Sequence, residues 1–377
     1  MTIIILGITF FYLLLIGSFI YGFDKTQDFK IVDRSPHTKF SVIIPFRNEA
    51  NQLPNLLDTI KTLEYPKSMF EIIMVDDDSS DNSVNIIKNY DLKGLTISVV
   101  KNIRRTASPK KDAITTAIAN AQFNWIITSD ADCSLPKYWL DIFDNYIQNE
   151  APKLIIAPVT YTRVNSFFKR FQLLDILSLQ GATIGSFGIG KPIMCNGANL
   201  AYQKDVFTAI NGYEGNSHVA SGDDLFILEK LLKTYKKGIC YLKHRAVIVS
   251  TNAEPNFSAL KSQRIRWASK TATYHNNFSK LTAIIVIAMN GLVVCLPLLY
   301  YAEIITLKTV MYTCMIKFLI DFLLIFKSAR FFEQGHFLSA YILSCLLYPY
   351  FTTYIACLSV FKGYKWKSRR YGKYDLK

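Results

Sequence analysis

The sequence predicts an α/β domain built on a mostly parallel sheet, held between an N-terminal membrane anchor and C-terminal membrane helices. Three observations carry that expectation. From Lys39 to about Tyr274, short β-branched apolar runs alternate with segments of helical spacing, the pattern of a sheet covered by helices on both faces. Residues 2–23, 281–302 and 337–361 contain no Asp, Glu, Lys or Arg, and each run reaches the ~20 residues a helix needs to cross a bilayer. Half of the 377 residues are apolar and only 19% are charged, which argues against global disorder and against an ordinary soluble domain.

Each element follows in order. Residues 1–23 read as a retained anchor, because no basic stretch precedes the apolar run and no small-residue cleavage site clearly follows it. Lys25, Lys30 and Arg34 come next and place its C-terminal side in the cytoplasm. Residues 24–39 are polar, contain Pro36 and read as a linker; the domain is expected over 40–279. Strands are expected at 40–46, 70–77, 95–100, 124–132 and 153–161, with helices at 48–63, 83–90, 110–121 and 136–148 between them. Beyond these lie a glycine-rich stretch (181–197) and helical patterns near 222–234 and 256–274. Membrane or interfacial helices are expected over 280–361, followed by a basic tail, 362–377, with seven Lys or Arg against one Asp. That tail belongs in the cytoplasm by the positive-inside rule, whereas three full spans would carry it outside. One of the three is then interfacial or re-entrant, and 309–326 is the weakest span, since Lys317 and Asp321 interrupt it; the two side chains, four apart, are able to pair, and whether this stretch crosses stays open.

Net charge is +14, a balance compatible with nucleic acid or an anionic membrane surface. The uncharged runs decide for the membrane, and no nucleic-acid partner is expected. The seven cysteines are scattered without a CxxC pair, which argues against a disulfide framework and fits a reducing compartment. The five histidines show no zinc-ligand spacing.

Ligands of open α/β sheets bind beyond the carboxyl ends of the strands, and two acidic clusters fall there. Asp76, Asp77 and Asp78 close the second expected strand, and Asp130 and Asp132 close the fourth. In an extended segment, residues two apart point to one side. Two carboxylates so placed can offer oxygen to a hard divalent cation that also binds substrate phosphates; taken alone they are equally solvated loop acids. Asp223-Asp224 stands at an expected helix start, where acids either cap the helix or supply a general base. Gln263-Arg264-Ile265-Arg266-Trp267 lies on an expected helix. Its arginines suit a diphosphate and Trp267 an acceptor wall, while the flanking Lys261 and Lys270 equally fit a basic helix lying on the membrane. Residues 185–192 nearly match a phosphate-binding G-x-x-x-x-G-K-[ST], but Pro192 replaces the hydroxyl residue, so the segment reads as a glycine-rich loop. The first strand runs into Pro45-Phe46-Arg47-Asn48-Glu49, which is not a dinucleotide fingerprint.

Taken in order, these clusters resemble family 2 glycosyltransferases of the inverting GT-A type over about residues 40–270. SVIIPFRNEA (41–50) resembles the family's opening strand and turn, and MVDDDSSDNS (74–83) its nucleotide-binding segment, with Asp78 where glycine is more usual. Lys110 and Lys111 match a basic site after the third strand, Asp130-Ala131-Asp132 the D-x-D, CNGANLAYQK (195–204) the acceptor-side segment, Asp223-Asp224 the usual Glu-Asp, and 263–267 the Q-x-x-R-W-type motif. The resemblance implies a Rossmann-like GT-A domain that moves a sugar from a nucleotide-diphospho-sugar to a lipid or membrane-held acceptor. It implies donor binding by Asp76, Asp77, Lys111 and Asp130, and Mg2+ or Mn2+ at Asp132. It implies Asp224 as catalytic base, with Asp223, Gln263, Arg264, Arg266 and Trp267 toward acceptor or diphosphate. The expected location is a bacterial plasma membrane, with the catalytic domain in the cytoplasm. Two rivals stand beside it. A nucleotidyltransferase on a similar fold would open with a basic glycine-rich loop, which PFRNEA lacks. A membrane transporter or scaffold with a soluble cap would carry polar groups in several spans, and only 309–326 has charges.

Overall fold

The structure is a computed structural model and describes every residue except 92, 93, 217, 218, 220, 236, 271–275, 368 and 372–377. The chain opens with helix α1 (Thr2–Lys25). The alternating segment then gives β1 (Phe40–Phe46), α2 (Leu53–Lys61), β2 (Phe70–Asp76), α3 (Ser83–Asn89), β3 (Ile97–Lys101), α4 (Pro109–Asn120), β4 (Trp125–Thr128) and α5 (Trp139–Glu150). Pro54 and Pro109 stand in the first turns of α2 and α4, where a missing N–H costs no helix bond. The less regular half holds β5 (Leu154–Ile156), β6 (Val159–Thr162), α6 (Phe167–Gly188), β7 (Leu200–Gln203), α7 (Lys204–Ala209), α8 (Asp223–Thr234), β8 (Ile239–Tyr241), β9 (Val249–Asn252) and α9 (Phe257–Ser269). Three long helices follow, α10 (Asn277–Tyr301), α11 (Leu307–Phe331) and α12 (Tyr341–Phe361), then a hairpin of β10 (Tyr364–Trp366) and β11 (Arg369–Tyr371).

These elements form two compact units. Among the described residues, the sheet unit comprises Gln27–Thr162 and Met194–Asn252; the helical unit comprises Met1–Thr26, Arg163–Ile193 and residues 253–371.

In the sheet unit, seven strands run in the order β3-β2-β1-β4-β7-β5-β8. All neighbours are parallel except β7, which runs antiparallel between β4 and β5. β1 and β2 are buried almost along their whole length, so both faces carry apolar side chains, as a sheet covered on both sides requires. The order reverses between β1 and β4, which opens a crevice at their carboxyl ends. Asp76 ends β2 there, in register with Phe46 on one side and Lys101 on the other.

Two expected strands are shorter than the sequence pattern implied. The run 153–161 breaks at Ala157-Pro158 into β5, in the main sheet, and β6, which pairs with β9 in a separate two-stranded sheet. Pro158 has no N–H to give a ladder; its carbonyl accepts from Val249 instead. The run 124–132 leaves the sheet at Thr128, and the Cys133 amide donates to the Asp130 carbonyl at 3.2 Å. Asp130 and Asp132 therefore sit in a turn, and the alternation of extended backbone does not relate their side chains.

Among the described residues of the helical unit, four helices are long and apolar enough to cross a membrane: Thr2–Lys25, Asn277–Tyr301, Leu307–Phe331 and Gly335–Phe361. The weak stretch 309–326 is part of one continuous 25-residue helix, α11. Its Lys317 and Asp321 do pair, at 2.7 Å, and Tyr12 of α1 donates to the same carboxylate at 2.6 Å. A second pair, Lys327 with Asp24 at 2.8 Å, ties the same two helices.

The glycine-rich loop expected over 185–192 is helix as far as Gly188. Its glycines serve helix packing. A Cβ on Gly188 would stand 1.8 Å from the Gly22 carbonyl oxygen, and one on Gly185 would stand 2.2 Å from that of Phe19. Backbone meets backbone where α1 crosses α6, and only the absence of side chains permits that approach. Gly188→Ala is expected to destabilise the helical unit by about 1–3 kcal/mol, read as a lower unfolding temperature in detergent.

Candidate active site

The sheet unit gathers its charged side chains beyond the crevice. Asp76 turns the chain at the end of β2, its Oδ1 accepting the Ser79 amide at 2.9 Å. Asp77 is buried; its amide donates to the Phe46 carbonyl, and its Oδ1 accepts from Asn102 Nδ2 at 2.7 Å and faces Arg104 Nη1 at 3.4 Å. Arg104 also reaches Asp112 at 3.4 Å. Asp78 has φ of 65°, a left-handed conformation that explains why glycine is usual at such a position and that Asp tolerates better than most residues. Arg47 braces this turn: its Nη1 donates to the carbonyls of Asp77 and Asp78, each at 2.6 Å.

The second focus is Lys110, in the first turn of α4. Its ammonium lies 2.6 Å from Asp130 Oδ1 and 3.5 Å from Asp223 Oδ2. Burial would lower its pKa, but Asp130, then Asp223, hold it well above the usual lysine range, so it stays charged. Asp223 and Asp224 form the first turn of α8, after Gly222 at φ 87°. The Gly197 amide donates to Asp224 Oδ2 at 3.1 Å. A Cβ at Gly197 would stand 3.0 Å from Asp223 Oδ2 and 3.4 Å from Lys110 Nζ, so glycine leaves the room in which these groups meet. The structure thus joins Asp130, Asp223 and Asp224 around one lysine. Asp132, partly exposed in the turn after β4, has its backbone carbonyl accepting from Thr251.

Lys111 points elsewhere. Its buried ammonium donates to the carbonyls of Asn216 and Val219, each at 2.8 Å. Carboxylates are the donor type a hard divalent cation takes. Among the described residues, no three His, Cys, Asp or Glu side chains gather closely enough to hold a metal by themselves. The carboxylate of Asp132, partly exposed in the turn after β4, is of the donor type that suits a cation completing its shell with diphosphate oxygens and water.

The remaining expected residues lie in the helical unit, on α9. Arg264 is buried and pairs with Asp175 of α6 at 2.7 Å through both Nε and Nη2. Its Nη1 donates to Gln263 Oε1, and its guanidinium lies 4.2 Å from the Trp267 ring centre. Gln263 Nε2 donates to Glu254 at 2.7 Å; burial raises the Glu254 pKa, against the pull of Arg266 and Arg264. Arg266 and Trp267 are partly exposed. Asp175→Asn would leave Arg264 as a buried charge without its counter-ion, and a loss of about 3–5 kcal/mol is expected in thermal or denaturant unfolding.

Sequence reading missed Arg47, Asn102, Arg104 and Asp175. For Asn102 and Arg104 a signal existed: they directly follow the third strand, at its carboxyl end. Asp175 had none, because its partner lies 89 residues away.

An open, mostly parallel sheet with acids beyond β2 and β4, a basic helix start between them and an acidic helix start facing it defines a GT-A type α/β domain. The same fold is found in a mannosyltransferase from Pyrobaculum calidifontis solved in complex with GDP-Man and Mn2+, with a TM-score of 0.55 at 16% identity over 92% of this chain and 97% of that one. Residues 41–209 match the family model Glycosyl transferase family 2, and this segment of the chain is a glycosyltransferase family 2 domain. It is 23% identical over 273 residues to the poly-beta-1,6-N-acetyl-D-glucosamine synthase of Staphylococcus epidermidis, covering 67% of this chain and 61% of that protein. It is 24% identical over 187 residues to glycosyltransferase AglE of Haloferax volcanii, covering 49% and 58% respectively. The chain spans about three-fifths of the length of these curated relatives.

Proposed function

We propose that the chain transfers a sugar from a nucleotide-diphospho-sugar to a hydroxyl or phosphate of a lipid or membrane-held acceptor, by a metal-assisted single displacement that inverts the anomeric centre. The observation that carries this reading is Lys110 between Asp130 and Asp223, with Asp224 held beside them by the Gly197 amide. Acids from the end of β4 and the start of α8 thereby meet beyond the crevice where an open α/β sheet takes its ligand. Asp76 and Asp77 lie on the β2 side and are assigned to the base and ribose. Asp132 would hold Mg2+ or Mn2+, which when bound supplies positive charge against the leaving diphosphate, and Asp130 is assigned to the donor. Lys110 adds a fixed charge to that region. Asp224, the partly exposed member of its pair, takes the proton of the attacking acceptor. A single displacement leaves no intermediate on the enzyme and needs no nucleophilic carboxylate.

The GDP-Man and Mn2+ bound by the mannosyltransferase of the same fold support a donor and a cation of these classes. Four membrane-length helices support an acceptor held in a membrane, and Lys25, Lys30 and Arg34 after the first of them favour a cytoplasmic catalytic domain. On α9, Arg266 and Trp267 are assigned to acceptor or diphosphate, and Arg264 with Gln263 to holding them in place.

The test is a screen of labelled nucleotide sugars against purified protein in lipid, reading donor hydrolysis and lipid-linked product together. Transfer or hydrolysis of at least one donor is expected. Formation of nucleotide sugar from a sugar phosphate and a nucleoside triphosphate would favour the nucleotidyltransferase rival. Inertness of folded protein toward every donor would overturn the reading.

A further inference from the structure

We infer that Lys111 is a positioning residue for the catalytic base, acting through the loop that leads into α8. Lys110 and Lys111 are neighbours in the first turn of α4, about 100° apart around the helix axis, and their side chains serve different ends of one segment. Lys110 reaches Asp223. Lys111 is 1% exposed and donates to the carbonyls of Asn216 and Val219, each at 2.8 Å. Its ammonium also stands 4.4 Å from the ring centre of Phe226. Asn216 and Val219 precede the acidic pair and Phe226 follows it within the first turn of α8, so one ammonium grips the chain on both sides of Asp223-Asp224.

Burying a lysine is costly unless its charge is met; carbonyl dipoles and an aromatic face meet it here. The turn it secures is conformationally demanding. Gly222 has φ of 87°, and its carbonyl accepts the Phe226 amide at 3.0 Å. The start of α8, and with it the Asp224 carboxylate, is fixed by where this loop is pinned. This assignment differs from the donor-binding role that the resemblance implied for Lys111. It rests on Asp224 being the base.

Lys111→Met tests it. At saturating donor, kcat is expected to fall by about tenfold or more, the scale of an ångström-level misplacement of a catalytic group, while the donor Kd stays within about twofold. Lys111→Arg, which keeps the charge, is expected to recover much of the loss. Equal losses in donor affinity and turnover would make Lys111 a donor contact and overturn the inference, as would an unchanged kcat. Should Lys111→Met fail to fold, Phe226→Leu decides: lowered kcat at unchanged donor Kd supports the assignment, and wild-type kcat overturns it. Hydrogen exchange keeps this outcome separate from that of the proposed function. Even if the wild-type protein transfers no sugar, Lys111→Met is expected to speed exchange at Val219 and in the first turn of α8; unchanged exchange there overturns the positioning role.

Discussion

Asp224→Asn is expected to lower sugar transfer by about 10²- to 10⁴-fold while donor affinity stays within about twofold, the range general-base removal gives. The amide is nearly isosteric with the carboxylate and can still accept the Gly197 hydrogen bond, so the start of α8 is expected to keep its place. What it loses is the capacity to take a proton. Asp130 and Asp223 remain against Lys110, so the lysine keeps its two paired carboxylates. Calorimetric titration with donor, paired with a transfer assay, separates the two quantities. Full turnover by Asp224→Asn would remove this residue from the role of base.

The second large effect is expected at Asp132. Asp132→Ala should lose both donor binding and transfer, and chelation of divalent cations in the wild-type protein should reproduce the loss. The physical reason is the sparse donor set. No cluster of three metal-ligating side chains exists among the described residues, so removing one carboxylate removes a large share of the protein's hold on the cation. A diphosphate would then meet Asp130 and Asp223 with only Lys110 between them. Titrating Mn2+ against the variant, with and without nucleoside diphosphate, is the direct check; donor affinity equal to the wild type would sink the assignment of Asp132 to the metal.

How much of this was legible in the sequence depended on whether the causes were local. β1 and β2 were visible because strands buried on both faces are almost continuously apolar. The acidic groups at strand ends were visible because the carboxyl ends of an open sheet are where ligands bind. The break between β5 and β6 turned on one proline whose partner, Val249, is far along the chain. Gly185 and Gly188 looked like a loop because their reason for being glycine is a second helix, α1, in contact with them. Lys110 and Lys111 were adjacent in sequence and equal in chemistry. Only the turn of α4 sends one to the acids and the other to the loop before α8. Arg264 read as a ligand group; its burial against Asp175 depends on packing between α6 and α9 that no spacing rule encodes.

The C-terminal hairpin bears on the helix that precedes the three long ones. Tyr364 of β10 is buried in a cluster with Ile265 of α9 and Ile355 of α12, and the Phe351 ring of α12 packs 6.3 Å from that of Phe257 at the start of α9. A segment after the last long helix thus closes onto one before the first of the three, so the two ends of that stretch of chain are fastened to each other.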